Sequence, residues 1–218
     1  MTDMLAPLLR VDSSADGAES VTRRLTSLFV ERWRGEVRHR DLAADPVPPI
    51  REPYARLGRR VERRGIVPLH DIAALVADDD ERREWDRTLP LITELREART
   101  VLLGVPMYNF SVPAALKAWI DRVTFPGVFA NALPDTRFVV VTARGGAYGP
   151  GTPREGFDFQ EPYLRTYLTN LGVRPENLAF VHAELTRVGD LPALAGLEDL
   201  AEKSLTRARE RILELTAA

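Results

Sequence analysis

Short apolar runs alternate along this chain with longer segments in which apolar residues recur every three or four positions. Leu8-Leu9-Arg10-Val11, the stretch 37–41, Val101-Leu102-Leu103-Gly104-Val105, Arg137-Phe138-Val139-Val140-Val141-Thr142 and 177–182 read as five strands. After the first, Val21, Leu25, Leu28, Phe29 and Val30 keep the i, i+4, i+7, i+8 spacing of an amphipathic helix. That spacing predicts a helix from 19 to about 34, with Gly35 as its stop. Further helices are predicted over about 69–77, 81–97, 113–123, 162–171 and 196–215. Pro113 suits a first helical turn. In the last helix Leu197, Leu200, Leu205, Ala208, Ile212 and Leu215 fall broadly on one face. Strands alternating with helices predict a parallel sheet wound on both sides, and five strands fit the order 2-1-3-4-5.

One stretch breaks the alternation. Residues 45–68 carry Pro46, Pro48, Pro49, Pro53 and Pro68, and arginines at 51, 56, 59, 60, 63 and 64. They read as a long irregular connection within one domain spanning 1–218. Such a connection is either a solvated arm or a flap over the site, whose arginines would then meet phosphates. Asp78-Asp79-Asp80-Glu81 reads as an acidic cap on the next helix.

Composition narrows the function classes. A chain of 218 residues with 44% apolar and 28% charged residues can bury one good α/β core. The formal charge of −2 gives no reason to expect a nucleic acid partner. There is no cysteine, so thiol catalysis and thiolate metal sites are excluded. No apolar run reaches membrane-spanning length, and Met1-Thr2-Asp3-Met4 lacks the basic region of a signal peptide, so a cytoplasmic protein is expected.

Three loops at strand ends carry the candidate chemistry. In open α/β sheets ligands bind at the carboxyl ends of the strands. The first loop, Asp12 to Thr22, places Ser13, Ser14, Ser20 and Thr22 at a helix start, where unpaired N–H groups suit a phosphate. Ser20 taken alone reads equally as a helix cap. The second is Pro106-Met107-Tyr108-Asn109-Phe110, whose aromatics and amides suit a flat, polar-edged heterocycle. The third is Ala143-Arg144-Gly145-Gly146, where glycines let a backbone approach a ligand; taken alone it is a turn. His39, His70 and His182 show no metal-ligand spacing, and each reads as structural, with His182 nearest the expected site.

These motifs resemble the FMN-dependent NADH:quinone oxidoreductases and FMN-dependent azoreductases of the flavodoxin-like superfamily. The resemblance also covers Asp41-Leu42-Ala43-Ala44-Asp45-Pro46, Leu116-Lys117-Ala118-Trp119-Ile120-Asp121, Glu161-Pro162-Tyr163-Leu164 and Leu171-Gly172-Val173. It implies a flavodoxin-like three-layer α/β fold and non-covalent FMN. Ser14, Ser20, Val21 and Thr22 would hold the phosphate. Pro106, Met107, Tyr108, Asn109 and Phe110 would line the isoalloxazine, with Asn109 tuning it, and Ala143, Arg144, Gly145 and Gly146 would meet its other polar edge. NADH or NADPH would reduce the flavin, and a quinone or an aromatic azo compound would then take the same place in a ping-pong cycle. A homodimer with the site at its interface is implied as well.

The chain departs from that family at Ala130, Ala132 and Asn170, where aromatics are usual. Phe129, Tyr148 and the aromatics at 157 and 159 are the expected replacements, and Phe129, Tyr148 and Asn170 the expected substrate pocket. Two other classes stay open. A flavodoxin-like electron carrier fits the fold, but carriers usually bear a stronger acidic field. A hydrolase using Ser14 or Ser20 lacks a G-x-S-x-G elbow.

Overall fold

In the computed structural model, which describes residues 7–129 and 133–217, the strand β3 (Thr100–Pro106) is buried along its whole length. A central parallel strand covered on both faces has to be apolar in this way. It lies in a parallel sheet of five strands with β1 (Leu8–Asp12), β2 (Val37–Asp41), β4 (Arg137–Ala143) and β5 (Leu178–Ala183), in the order β2-β1-β3-β4-β5. Side chains alternate between two cores, as the period of two along a strand requires. Leu8, Leu102, Val139 and Val141 face one side, with α1 (Val21–Val30) and α6 (Glu198–Ala217). Leu9, Val101, Leu103, Phe138 and Val140 face the other. That side is covered by α2 (Glu52–Glu62), α3 (Asp79–Glu97), α4 (Ala114–Val123) and α5 (Gln160–Asn170).

The expected sheet order is found, while several helix boundaries move. The first helix is shorter than predicted: Ser20 caps it, its Oγ accepting from Arg23 N–H at 3.3 Å, and it ends at Val30. Trp33 continues the apolar face from outside the helix, stacked 5.8 Å from Phe29. The segment predicted as a helix over 69–77 is a 3-10 turn over Leu69–Leu75. Asp78 caps α3 through Glu81 N–H, as the acidic run implies.

Residues 45–68 are not an irregular connection. They contain α2, with Pro53 in its first turn, where a missing N–H costs nothing. Tyr54, Leu57, Gly58 and Val61 form its buried stripe, spaced i, i+3, i+4, i+7. The surrounding arginines and prolines hide that stripe from a reading by composition. Arg56 pairs with Asp78 at 2.7 Å and Arg60 with Glu81 at 2.6 Å, so these two arginines are spent on acids of α3 and its cap. A phosphate-binding flap is therefore not where they lead.

The lead-in to α2 is fixed by Arg122 of α4, whose side chain is fully buried. Its guanidinium donates to the carbonyls of Pro48 and Pro49 and to Glu84 at 2.8 Å. Removing one partner of a buried ion pair strands the other, which costs about 3–5 kcal/mol. Arg122→Ala is expected to lose stability in that range by urea unfolding. Arg122→Met with Glu84→Gln should lose clearly less, because no charge is then left alone.

Candidate active site

The sheet order reverses between β1 and β3, and the loops leaving these strands separate there into a cleft of about 680 Å³. Ser14, Ser20 and Val21 line one end, Pro106, Met107 and Tyr108 one wall, and Ala143 and Gly145 the far side. Arg24, Arg187, Asp16, Glu19 and Asp190 add charge to its rim. The structure thus gathers residues from all three sequence motifs around one space.

The hydroxyl loop is held from both sides. Ser13 Oγ donates to the Gly104 carbonyl at 2.8 Å, pinning the loop to β3. Gly104 has to be glycine, since a Cβ there would collide with the buried Asp12 carboxylate. Asp12 in turn gathers Arg10, Thr26 and His39 at 2.7, 2.9 and 2.9 Å. Arg23 donates to the carbonyls of Ser14 and Asp16 and forms a two-pronged pair with Asp41 of β2. That pairing holds the Asp41 carboxyl well below the usual range. Ser20 Oγ and Thr22 Oγ1 lie 3.1 Å apart, both residues buried. The N–H groups of Val21 and Thr22, at the first positions of α1, have no acceptor among the described residues, as expected at a helix start.

The aromatic loop is a two-residue hairpin. Tyr108 and Ser111 exchange both backbone hydrogen bonds at 3.0 Å, and the central Asn109 and Phe110 have φ of 47° and 69°. This turn needs left-handed conformations at both positions, which Asn tolerates and Phe strongly resists. Such strain persists where the surroundings fix it. Here the Phe110 carbonyl accepts from Phe159 N–H at 3.1 Å, and the Phe110 ring sits 5.8 Å from Phe157 and 6.3 Å from Tyr148. Phe110, Phe157 and Phe159 are all substantially exposed beside the cleft. Across the cleft the Tyr108 hydroxyl accepts from Ala15 N–H at 3.1 Å.

The glycine loop differs from the sequence expectation in one respect. Arg144 turns its guanidinium into the protein, 2.8 Å from Asp158, 3.5 Å from Glu184 and 3.9 Å from Glu161. Its backbone is consumed as well, by the Ala183 carbonyl and Thr186 N–H. Gly145 and Gly146 remain on the loop with N–H groups that have no acceptor among the described residues.

The remaining expected positions fall in different places. Tyr148 joins the aromatic wall through Phe110. Phe129 is buried in the main core beyond the end of α4. Asn170 is the last residue of α5, which leads away from the strand carboxyl ends. The next residue, Leu171, accepts from Leu133 N–H ahead of β4. An eleven-residue helix spans about 16 Å, so the fold does not bring Asn170 to this cleft. Positions 130 and 132 lie outside the described residues.

Sequence reasoning missed Gln160 and the role of its neighbours. The buried Gln160 amide donates to the carbonyls of Val105 and Pro106, steadying the end of β3. His182 is engaged, with Nδ1 at 2.8 Å from Thr142 Oγ1 and Nε2 at 2.9 Å from Glu161. The only available signal was the spacing of Asp158, Glu161 and Glu184 about Arg144. Among the described residues the three histidines bond to Asp12, Asp71, Thr142 and Glu161, and none to Ser14 or Ser20.

A parallel sheet in the order 2-1-3-4-5 with a cleft at its reversal defines a flavodoxin-like protein, and a flavodoxin-like family model matches residues 6–207. The chain is 42% identical over 193 residues to an FMN-dependent NADH:quinone oxidoreductase of Nocardia farcinica, covering 86% of this chain and 87% of that protein. A protein of the same name from Streptomyces coelicolor is 39% identical and covers 98% of each chain. Among solved structures, the azoreductase of Bacillus anthracis str. Sterne superimposes with a TM-score of 0.76 at 18% identity, covering 97% of this chain and 99% of that one. An FMN-dependent NADH-azoreductase of Bacillus anthracis str. Ames Ancestor, in complex with FMN, gives 0.75 at 18% identity, covering 97% and 100%. The chain belongs to the FMN-dependent NADH:quinone oxidoreductase family.

The His182 hydrogen bond, with help from Arg165 and against partial burial, holds the Glu161 carboxyl down to about 2. A depressed carboxylate stabilises the fold above its unfolded value near 4.5, and that stability is lost as pH falls towards 2. Urea unfolding at pH 6 and pH 3 should therefore show a larger loss for the wild type than for Glu161→Gln. Equal losses would mean that the pair contributes nothing.

Proposed function

We propose that this chain binds FMN non-covalently in the strand-end cleft and is an oxidoreductase. In this reading it takes hydride from NADH or NADPH and delivers it to quinones and to aromatic azo compounds. One observation carries the proposal: a single cleft offers unfilled donors at both ends and an aromatic wall between them. The Val21 and Thr22 amides with the Ser20 and Thr22 hydroxyls suit a phosphate, where helix N-terminal charge and neutral donors combine. The Gly145 and Gly146 amides suit the polar edge of a flat ring, because neither residue carries a side chain of its own and the arginines beside them, Arg187 and Arg154, are polar. The donor set therefore fits FMN, whose ring accepts hydride from one substrate and yields it to another.

The chain's own residues bind, orient and shield. Tyr108, fixed by Ala15, joins the phosphate end to the ring wall. The strained Asn109-Phe110 turn presents a main-chain amide at that wall and keeps the Phe110 ring over the cleft mouth. No side chain is needed as nucleophile. One site used by donor and acceptor in turn implies a ping-pong sequence. The exposed Phe110, Phe157 and Phe159 make a large apolar surface beside the site, and a second copy of the chain is proposed to cover it in a homodimer.

Ser20→Ala with Thr22→Ala should still fold and retain FMN much less tightly. Each lost bond to a charged phosphate is worth about 1.5–3 kcal/mol, so fluorescence titration should show a fall in affinity of at least tenfold. NADH oxidation with a simple benzoquinone should give parallel double-reciprocal lines. Intersecting lines would require donor and acceptor to be bound together, against a single shared site.

A further inference from the structure

Three arginines flank the glycine loop: Arg187 lies against Gly145 and is paired with Asp190 at 2.7 Å, and the other two do opposite things. Arg144 is buried and surrounded by three carboxylates, so its charge is neutralised inside the protein. Arg154 lies in the loop between β4 and α5 and folds back over Gly146. Its Cδ and Nη1 sit 3.5 Å from where a Gly146 Cβ would be. Its Nη1 donates to the Tyr148 hydroxyl at 2.9 Å, and its guanidinium carbon is 5.7 Å from the centre of that ring. No carboxylate among the described residues lies within ion-pair distance of it.

The nearby acids are occupied. Glu155 accepts from Gly151 N–H at 2.8 Å, Asp158 pairs with Arg144 and accepts from the Gln160 and Glu161 amides, and Glu184 accepts from Tyr148 N–H. The loop is braced from within, by Thr152 on the Gly149 carbonyl and Phe157 N–H on the Arg154 carbonyl. Tyr148 is buried and pressed against Phe110. An unneutralised guanidinium is therefore held by a fixed phenol directly above the glycine edge. A charge so placed acts on a ligand without first having to be reorganised.

We propose that Arg154 is the cation that stabilises negative charge on the reduced flavin ring, and that Tyr148 positions it. This rests on the proposed placement of the ring's polar edge at Gly145 and Gly146. The test uses the FMN-loaded protein with sulfite, whose sulfur forms a bond to the oxidised ring and leaves the added negative charge on it. Bleaching of the flavin absorption reports binding, and the flavin midpoint potential is measured beside it.

Arg154→Gln is expected to keep FMN, bind sulfite at least about tenfold more weakly, as loss of one charge-assisted contact implies, and show a lower potential. Arg154→Lys should restore most of the sulfite affinity. Tyr148→Phe should shift both readings the same way but less. An Arg154→Gln protein that holds FMN with unchanged sulfite affinity and potential would overturn the role of Arg154 while leaving FMN binding intact. A folded Arg154→Gln protein that loses FMN would overturn it too, because charge tuning leaves the neutral oxidised ring bound. A wild-type protein that takes up no FMN would fail at the earlier step and overturn both readings.

Discussion

A guanidinium buried without partners would cost more than this fold can supply, and the placement of Arg144 organises the loops around that requirement. Its partners come from three places: Asp158 before α5, Glu161 in the first turn of α5, and Glu184 after β5. Drawing them together brings the end of β5 and the start of α5 against the loop after β4. Gly145, half-buried, and Gly146, buried, come next in the chain and keep amides without an acceptor among the described residues. Asp158 also caps α5, so one carboxylate holds both the helix and the arginine. His182 extends the cluster through Glu161 and Thr142 to the strand ends.

The opposite end of the cleft follows the same logic with a second guanidinium. Arg23 is spent on Asp41 and on the carbonyls of Ser14 and Asp16, so it shapes the hydroxyl loop instead of offering a free cation to it. What remains for a ligand inside that end is hydroxyls and helix-start amides, with Arg24, Asp16 and Glu19 on the rim. Between the two ends lies an aromatic hairpin with a phenylalanine in a conformation it resists. Arginines at both ends are thus held by acids, while backbone amides beside them keep no acceptor among the described residues.

Much of this was legible in the sequence, and the exceptions have physical reasons. The five strands and their order follow from apolar runs separated by helical periods, because both faces of a parallel sheet must be buried. The three loops were visible because hydroxyls, aromatics and glycines each stand at a strand end. The helix α2 was not, since its four-residue stripe lies among arginines whose acidic partners are distant in sequence. Arg144 was assigned to the ligand because a motif does not tell which way a side chain turns. Its inward turn depends on Asp158 and Glu184, up to 40 residues away. The resemblance pointed to Phe129 and Asn170 as pocket residues, but one lies in the main core and the other at the far end of α5.

The central claim is that specific backbone amides at both ends of one cleft are withheld for a single ligand. Amide hydrogen exchange, followed residue by residue by NMR with and without FMN, measures that directly. The account predicts that Val21, Thr22, Gly145 and Gly146 gain strong protection together on adding one equivalent, while the exposed surface of α6 is unchanged. Protection confined to one end, or absent from all four amides in a protein that binds FMN, would contradict it.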